Sequence, residues 1–236
     1  MTSLSSLSPS AHFHHFIFDL DGTLLDTTED LAAAVNHVLS RFGLPAIPPE
    51  RVRGYVGHGV RVMVERALGE SQGHLVREGL VLFLEYYREH LLDHTQPYPG
   101  MVQLMGKIKD GGGVLSVLTN KPEEFSRRLI AGLSLSNYFI GIVGGDTLTT
   151  RKPDPLGVYH LQNLSGVSLQ RTLLIGDSET DVETAQAAAV AVCGVTWGFG
   201  EEGLKACLER GRKGSPPPLL IRAPDELLSL VSVTSS

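Results

Sequence analysis

The chain has only two cysteines in 236 residues, Cys193 and Cys207, too few and wrongly spaced for a disulfide framework or a zinc site. A reducing cytoplasm is the expected setting. No uninterrupted apolar stretch reaches membrane-spanning length. There is no dense Lys/Arg run, and a net charge of −6 argues against a nucleic-acid surface. Met1 to Ser10 is rich in serine but has neither a basic start nor an apolar run, so it reads as a leader rather than a signal peptide. No internal repeat is evident. What remains is a composition of 42% hydrophobic and 19% charged residues, enough for a substantial core. The length suits one large domain, or a main domain with a smaller companion.

One stretch organises the rest. Phe13 to Phe18 is apolar and aromatic, as a buried strand is, and it stops abruptly at Asp19-Leu-Asp-Gly22. Carboxylates at i and i+2 of an extended chain point to the same side. Pressing them together raises the energy unless a cation or a proton relieves it. A strand running into an Asx-type turn explains a lone D-x-D-G as well. That alternative weakens only if other parts of the chain supply the rest of a site.

Downstream, Thr27 and Asp30 form a capping-box pattern ahead of Leu31, Val35, Val38, Leu39 and Phe42 at helical spacing. Gly43 and the prolines at 45, 48 and 49 end that helix. The turn Gly54-Tyr-Val-Gly-His-Gly59 leads into amphipathic helices at about Val60–Leu68 and Leu75–Leu92. Residues 27–96 therefore read as all-helical, closed by a hinge at Pro97-Tyr-Pro-Gly100. From Met101 helices alternate with strands at Val114–Leu118, Tyr138–Val143, Thr172–Ile175, Val190–Thr196 and Leu219–Ile221. This is the signature of a mainly parallel sheet covered on both faces, an α/β fold. The expected layout is a core of residues 11–26 and 97–236 with an inserted helical cap, 27–96, and a surface loop at 211–218.

Polar residues gather where these strands end: Asp19 and Asp21, Thr119 and Asn120, and Asp177 with Asp181 one turn later. Lys152 lies in the loop Thr150-Arg-Lys-Pro-Asp-Pro155. In an open parallel sheet, ligands bind outside the carboxyl ends of strands, at a topological switch point. Converging carboxylates need a hard cation, and oxygen ligands suit Mg2+. A lysine and a hydroxyl beside them suit phosphate oxygens. A carboxylate held against a phosphoryl group is a nucleophile for phosphorus, and a second one two residues on can serve as acid and base.

Together, Asp19-Leu-Asp-Gly-Thr23, Thr119-Asn120, Lys152-Pro-Asp-Pro and Gly176-Asp-Ser-Glu-Thr-Asp181 resemble the four motifs of the haloacid dehalogenase superfamily. The helical stretch between the first strand and the second motif makes the chain similar to that superfamily's C1-capped phosphatases, the phosphoglycolate phosphatase family above all. The resemblance implies a Rossmann-like core and a Mg2+-dependent phosphomonoester hydrolase acting on a small-molecule phosphate ester, as a monomer or homodimer. It assigns Asp19 as the nucleophile that becomes an aspartyl-phosphate, and Asp21 as the acid/base that lends a backbone carbonyl to the metal. Thr119 and Lys152 hold the transferring phosphoryl group, with Gly22 and Asn120 nearby. Asp19, Asp21, Asp177 and Asp181 form the metal set. A sugar-phosphate mutase, a pyrophosphatase and a nucleotide phosphatase share the scaffold, as does a non-catalytic phosphate-binding protein.

The cap loop, with Gly57 and His58 in it and Arg61 just beyond, resembles the loop that reads a small acid phosphate. Arg53 and Arg61 are candidates to meet a substrate carboxylate, against the alternative of a solvated helix face. His12, His14 and His15 lack acidic or cysteine partners nearby in sequence and are expected as strand-edge or leader residues. Cys193 is expected as an inert buried thiol. Trp197-Gly-Phe-Gly200 is as compatible with packing as with an active-site rim.

Overall fold

In chain order, β1 (His15–Phe18) is followed by β2 (Leu25–Asp26). Then come α1 (Thr28–Arg41), α2 (Pro49–Arg53), α3 (Val60–Leu68), a 3-10 segment at Glu70–Leu75, and α4 (Val76–His90). After β3 (Gln96–Pro97), helices and strands alternate through α5 (Met101–Asp110), β4 (Val114–Leu118), α6 (Glu123–Gly132) and β5 (Phe139–Val143). The chain continues through α7 (Leu156–Ser165), β6 (Thr172–Gly176), α8 (Glu179–Ala188), β7 (Ala191–Val195) and β8 (Leu219–Ile221). This computed structural model describes residues 13–200, 203–204, 206–207 and 219–230; the leader at 1–10 and the loop at 211–218 lie outside the described residues.

Six strands pair in the order β5-β4-β1-β6-β7-β8, every pair parallel. The chain leaves β1 in one direction, to β4 and β5, and returns on its other side at β6. That reversal beside β1 is the switch point at which open parallel sheets bind ligands. All four residues of β1 are fully buried. Its side chains alternate between the two faces: Phe16 and Phe18 join one apolar cluster, and Ile17 joins the other with Val158, Leu174 and Val182.

The helical stretch α1–α4 enters and leaves through a two-residue antiparallel ribbon, Leu25 opposite Pro97 and Asp26 opposite Gln96. Strands this short carry no alternation to read, so the all-helical expectation for 27–96 overlooked Gln96. The capping box expected at Thr27 and Asp30 does not form. The Thr27 hydroxyl donates instead to Asp21 (2.8 Å), and Asp26 accepts from the amide (3.1 Å) and hydroxyl (2.6 Å) of Thr28. The buried Asp30 carboxylate accepts from the amides of His94 and Thr95 and from the Thr95 hydroxyl, at 2.7–3.1 Å. Tertiary partners outcompete the local cap, and Asp30 staples the exit of the helical stretch to its entry. Also unforeseen was α2, in a proline cluster read only as a helix stop; Pro49 opens it, where a missing N–H costs nothing.

His15, on the buried strand rather than at an edge, bridges two hydroxyls: Nε2 lies 2.8 Å from Ser116 Oγ and Nδ1 3.1 Å from Ser165 Oγ. Burial pushes its pKa down from 6.5 to about 4. The native state therefore keeps His15 neutral where the unfolded chain protonates it. Its contribution is complete above pH 6.5 and lost as pH falls toward 4. A His15→Gln variant is expected to show a shallower loss of stability over that window than the wild type, measured by urea unfolding at several pH values.

Candidate active site

The Asp19 amide donates to Ile175 O (2.8 Å), extending the parallel ladder one step beyond β1 and fixing Asp19 at its carboxyl end beside β6. The next residues turn on Gly22, whose φ of +82° suits glycine. A Cβ there would collide with the Asp177 carboxylate. The Gly22 amide is itself bonded to Leu25 O (2.9 Å), so what Gly22 gives the site is room.

At the end of β6, Asp177 accepts from Thr23 Oγ1 (3.4 Å) on one oxygen, and from the amides of Phe199 (2.5 Å) and Gly200 (3.3 Å) on the other. The segment Trp197–Gly200 thus orients an active-site carboxylate through its backbone, a role its side chains did not advertise. Gly198 lies so close that a Cβ there would meet Asp177. Asp181, in the first turn of α8, accepts from the Ser178 amide (3.1 Å) and hydroxyl (2.6 Å) with one oxygen. Its other oxygen receives Lys152 Nζ at 2.6 Å. The same ammonium lies 2.8 Å from Asp19 Oδ1, with both partners buried. Lys152 therefore ties the ends of β1 and β6 together.

One oxygen from each of Asp19, Asp177 and Asp181 lies within 4.8 Å of the others. Burial raises the Asp19 pKa from 3.8 to about 6, opposed by Lys152 and reinforced by Asp181. Burial, then repulsion by Asp19 and Asp181, raises Asp177 from 3.8 to about 7. Three buried carboxylates around one ammonium leave negative charge uncompensated, and oxygen donors in this arrangement fit a hard divalent cation.

Thr119 follows β4 and is buried at the same place, its Oγ1 accepting from the Lys121 amide (3.3 Å). Asn120 Nδ2 donates to Lys152 O (3.1 Å) and to Gly57 O (2.9 Å), linking the lysine loop to the turn ahead of α3. Lys121, to which the sequence reading gave no role, reaches both oxygens of Asp21 at 3.0 and 3.2 Å. Its position directly after Thr119-Asn120 at a strand end was the signal available. Asp21 thus accepts from both Lys121 and Thr27.

Two adjoining clefts share Asp19, Asp21, Val56 and Gly57. The inner one is walled by Leu31, Val60 and Met63 opposite Thr119, Lys121 and Lys152. The outer one includes Arg53, His58, Asp177 and Glu183. The Arg53 guanidinium donates to Gly198 O (2.9 Å) and lies 5.1 Å from the Phe199 ring, so α2 is latched to the segment that holds Asp177. Arg61 is not brought to either cleft: it pairs with Glu65 at 3.0 Å on a face where its side chain is 65% exposed. The Cys193 thiol is buried, and burial raises its pKa. No helix among the described residues is long and apolar enough to cross a membrane.

The stretch that carries the site is similar to known proteins. A family profile described as haloacid dehalogenase-like hydrolase matches residues 16–195. A phosphoglycolate phosphatase of Mesorhizobium japonicum is 41% identical over 187 residues, covering 78% of this chain and 82% of that protein. One from Pseudomonas putida is 39% identical over 206 residues, covering 84% and 75%. Among solved structures, a putative phosphoglycolate phosphatase from Lactobacillus delbrueckii superposes with a TM-score of 0.84 at 28% identity, covering 94% of this chain and 99% of that one. A predicted phosphoglycolate phosphatase from Haemophilus somnus gives 0.81 at 26% identity, covering 94% and 98%. With its parallel sheet and the buried carboxylates at the ends of β1 and β6, the chain belongs to the haloacid dehalogenase-like hydrolases.

Proposed function

We propose that this enzyme hydrolyses the phosphomonoester of a small metabolite, 2-phosphoglycolate first, through an aspartyl-phosphate on Asp19 and with Mg2+ as cofactor. The observation that carries this reading is the meeting of Asp19, Asp177 and Asp181, from segments more than 150 residues apart, around the buried Lys152. The names of the relatives support the substrate. The helical stretch 27–96 acts as a cap over the core of residues 11–26 and 97–236. The scarcity of cysteine favours the cytoplasm as its place of work.

Asp19, Asp177 and the Asp21 backbone carbonyl would hold the metal, with Asp181 in support. Bound there, Mg2+ neutralises charge so that a carboxylate can face a phosphoryl dianion. Lys152 and Thr119, with Asn120 behind them, bind the phosphoryl oxygens. An Asp19 oxygen attacks phosphorus while Asp21 gives its proton to the departing alkoxide oxygen. Water then attacks the aspartyl-phosphate at phosphorus. Asp21 takes the water's proton, releasing phosphate and restoring Asp19. Leu31, Val60 and Met63 give the inner cleft an apolar side.

A panel of phosphate esters assayed with and without Mg2+ tests this. The expected result is Mg2+-dependent release of free phosphate equal to substrate lost, with the highest kcat/KM on phosphoglycolate. Failure to cleave any ester in the presence of Mg2+ contradicts it.

The raised carboxylate pKa values add a pH dependence with a definite sign. Metal must displace protons from Asp19 and Asp177 below about pH 6 and 7 respectively. The rise in Tm on adding Mg2+ is expected to be larger at about pH 8 than at about pH 5.5. Thermal scans with EDTA-treated protein measure it; a pH-independent rise would mean these carboxylates are not the ligands.

A further inference from the structure

We propose that Lys121 determines specificity, by reading an anionic group carried beside the phosphoester of the substrate; this rests on the small acid phosphate reading above. Among the described residues lining the inner cleft, the two cations are Lys121 and Lys152. Lys152 is held between two carboxylates, Asp19 and Asp181, and serves the phosphoryl oxygens in the reading above. Lys121 Nζ faces a single carboxylate, Asp21, and lies 4.6 Å from the centroid of the Tyr87 ring on α4. An ammonium carries three protons, and the aromatic face does not replace a charged acceptor. Capacity for a second anion therefore remains at Lys121.

The position suits such an anion. With Asp21 as the proposed proton donor to the leaving oxygen, its ion-pair partner Lys121 lies beside the leaving group in that reading. A carboxylate one carbon from the ester oxygen is short enough to stay within that region. The side chains that α1 and α3 bring to this cleft, Leu31, Val60 and Met63, are apolar and reward no charge. Gly59, φ +91°, caps α3 at the edge of this cleft, so no side chain bonds the amides of the first turn. Of the arginines first expected to read the substrate, Arg53 lies on the outer cleft and donates to the Gly198 carbonyl, and Arg61 pairs with Glu65 away from both clefts. Lys121 belongs to the core rather than the cap, so this selectivity does not depend on the cap sequence alone.

The test compares 2-phosphoglycolate with n-propyl phosphate, a similar ester in which the carboxylate is absent, for the wild type, Lys121→Met and Lys121→Arg. Because Lys121 also touches Asp21, every rate is expected to change; the informative quantity is the preference between the two esters. Loss of a charge-assisted bond predicts a drop of about ten- to a hundredfold in that preference for Lys121→Met, mostly through KM for phosphoglycolate. Lys121→Arg is expected to recover part of it, and serves as the readout if the Met variant does not fold. An unchanged preference in the variants, with both esters slowed alike, overturns the proposal and leaves Lys121 as a support for Asp21. A wild type with no preference for phosphoglycolate defeats the substrate reading instead, so the two failures are distinguishable.

Discussion

Asp19→Asn is expected to abolish turnover of every phosphate ester, by about 10^4-fold or more, while leaving the fold intact. The amide keeps the size of the carboxylate and an oxygen for Lys152 at 2.8 Å, so the local scaffold survives. What it loses is the nucleophile. Its neighbours are each engaged: Asp21 by Lys121 and Thr27, Asp177 by Thr23 and the 199–200 amides, and Asp181 by Ser178 and Lys152. Removal of one buried negative charge also relieves Asp177, so the variant is expected to unfold at or above the wild-type denaturant midpoint without Mg2+. Steady-state assays and urea unfolding on one preparation check both parts; residual activity within tenfold of wild type would place the nucleophile elsewhere.

Lys152→Met has the opposite balance. Its side chain is 2% exposed and bridges a carboxylate at the end of β1 and one in the first turn of α8, and burial without that bridge strands two charges. Breaking such a buried arrangement by removing one partner costs about 3–5 kcal/mol. Activity is expected to fall by about 10^3-fold, as for a lost contact to developing charge in a closed site. Since a divalent cation addresses the same excess charge, added Mg2+ should recover part of the stability but not the activity. Unfolding with and without Mg2+ measures this, and a variant as stable as wild type in EDTA would show that the carboxylates are not repelling one another.

The sequence disclosed the fold where periodicity runs long. The Val114–Leu118 strand, the helix over Val60–Leu68 and the parallel alternation after Met101 all have enough residues to display a period. It failed where the pattern was too short, at the Leu25–Asp26 ribbon with Gln96–Pro97, and where a proline cluster concealed α2. The capping box at Thr27 failed for another reason: its two side chains obey partners 6 and 65 residues away rather than local propensity.

The acidic part of the candidate site was legible because aspartates at strand ends have no structural purpose that explains their number. The rest was hidden by the kind of contact made. Phe199 and Gly200 act through backbone amides, which any residue but proline supplies. Lys121 was visible as a residue but not as a partner of Asp21, since nothing in the chain states that positions 100 residues apart will touch. Arg53 looked like a substrate reader because arginine suits carboxylates; in the fold it lines the outer cleft, and its guanidinium also meets carbonyls of the Asp177 loop, a contact no spacing announced.

The most direct test of the account is to quench the enzyme with acid during turnover of 32P-labelled phosphoglycolate and map any phosphoprotein by peptide mass spectrometry. The account predicts a hydroxylamine-labile acyl phosphate on the peptide containing Asp19, absent from Asp19→Asn. A phosphorylated residue elsewhere, or the same label in the Asn variant, would contradict it.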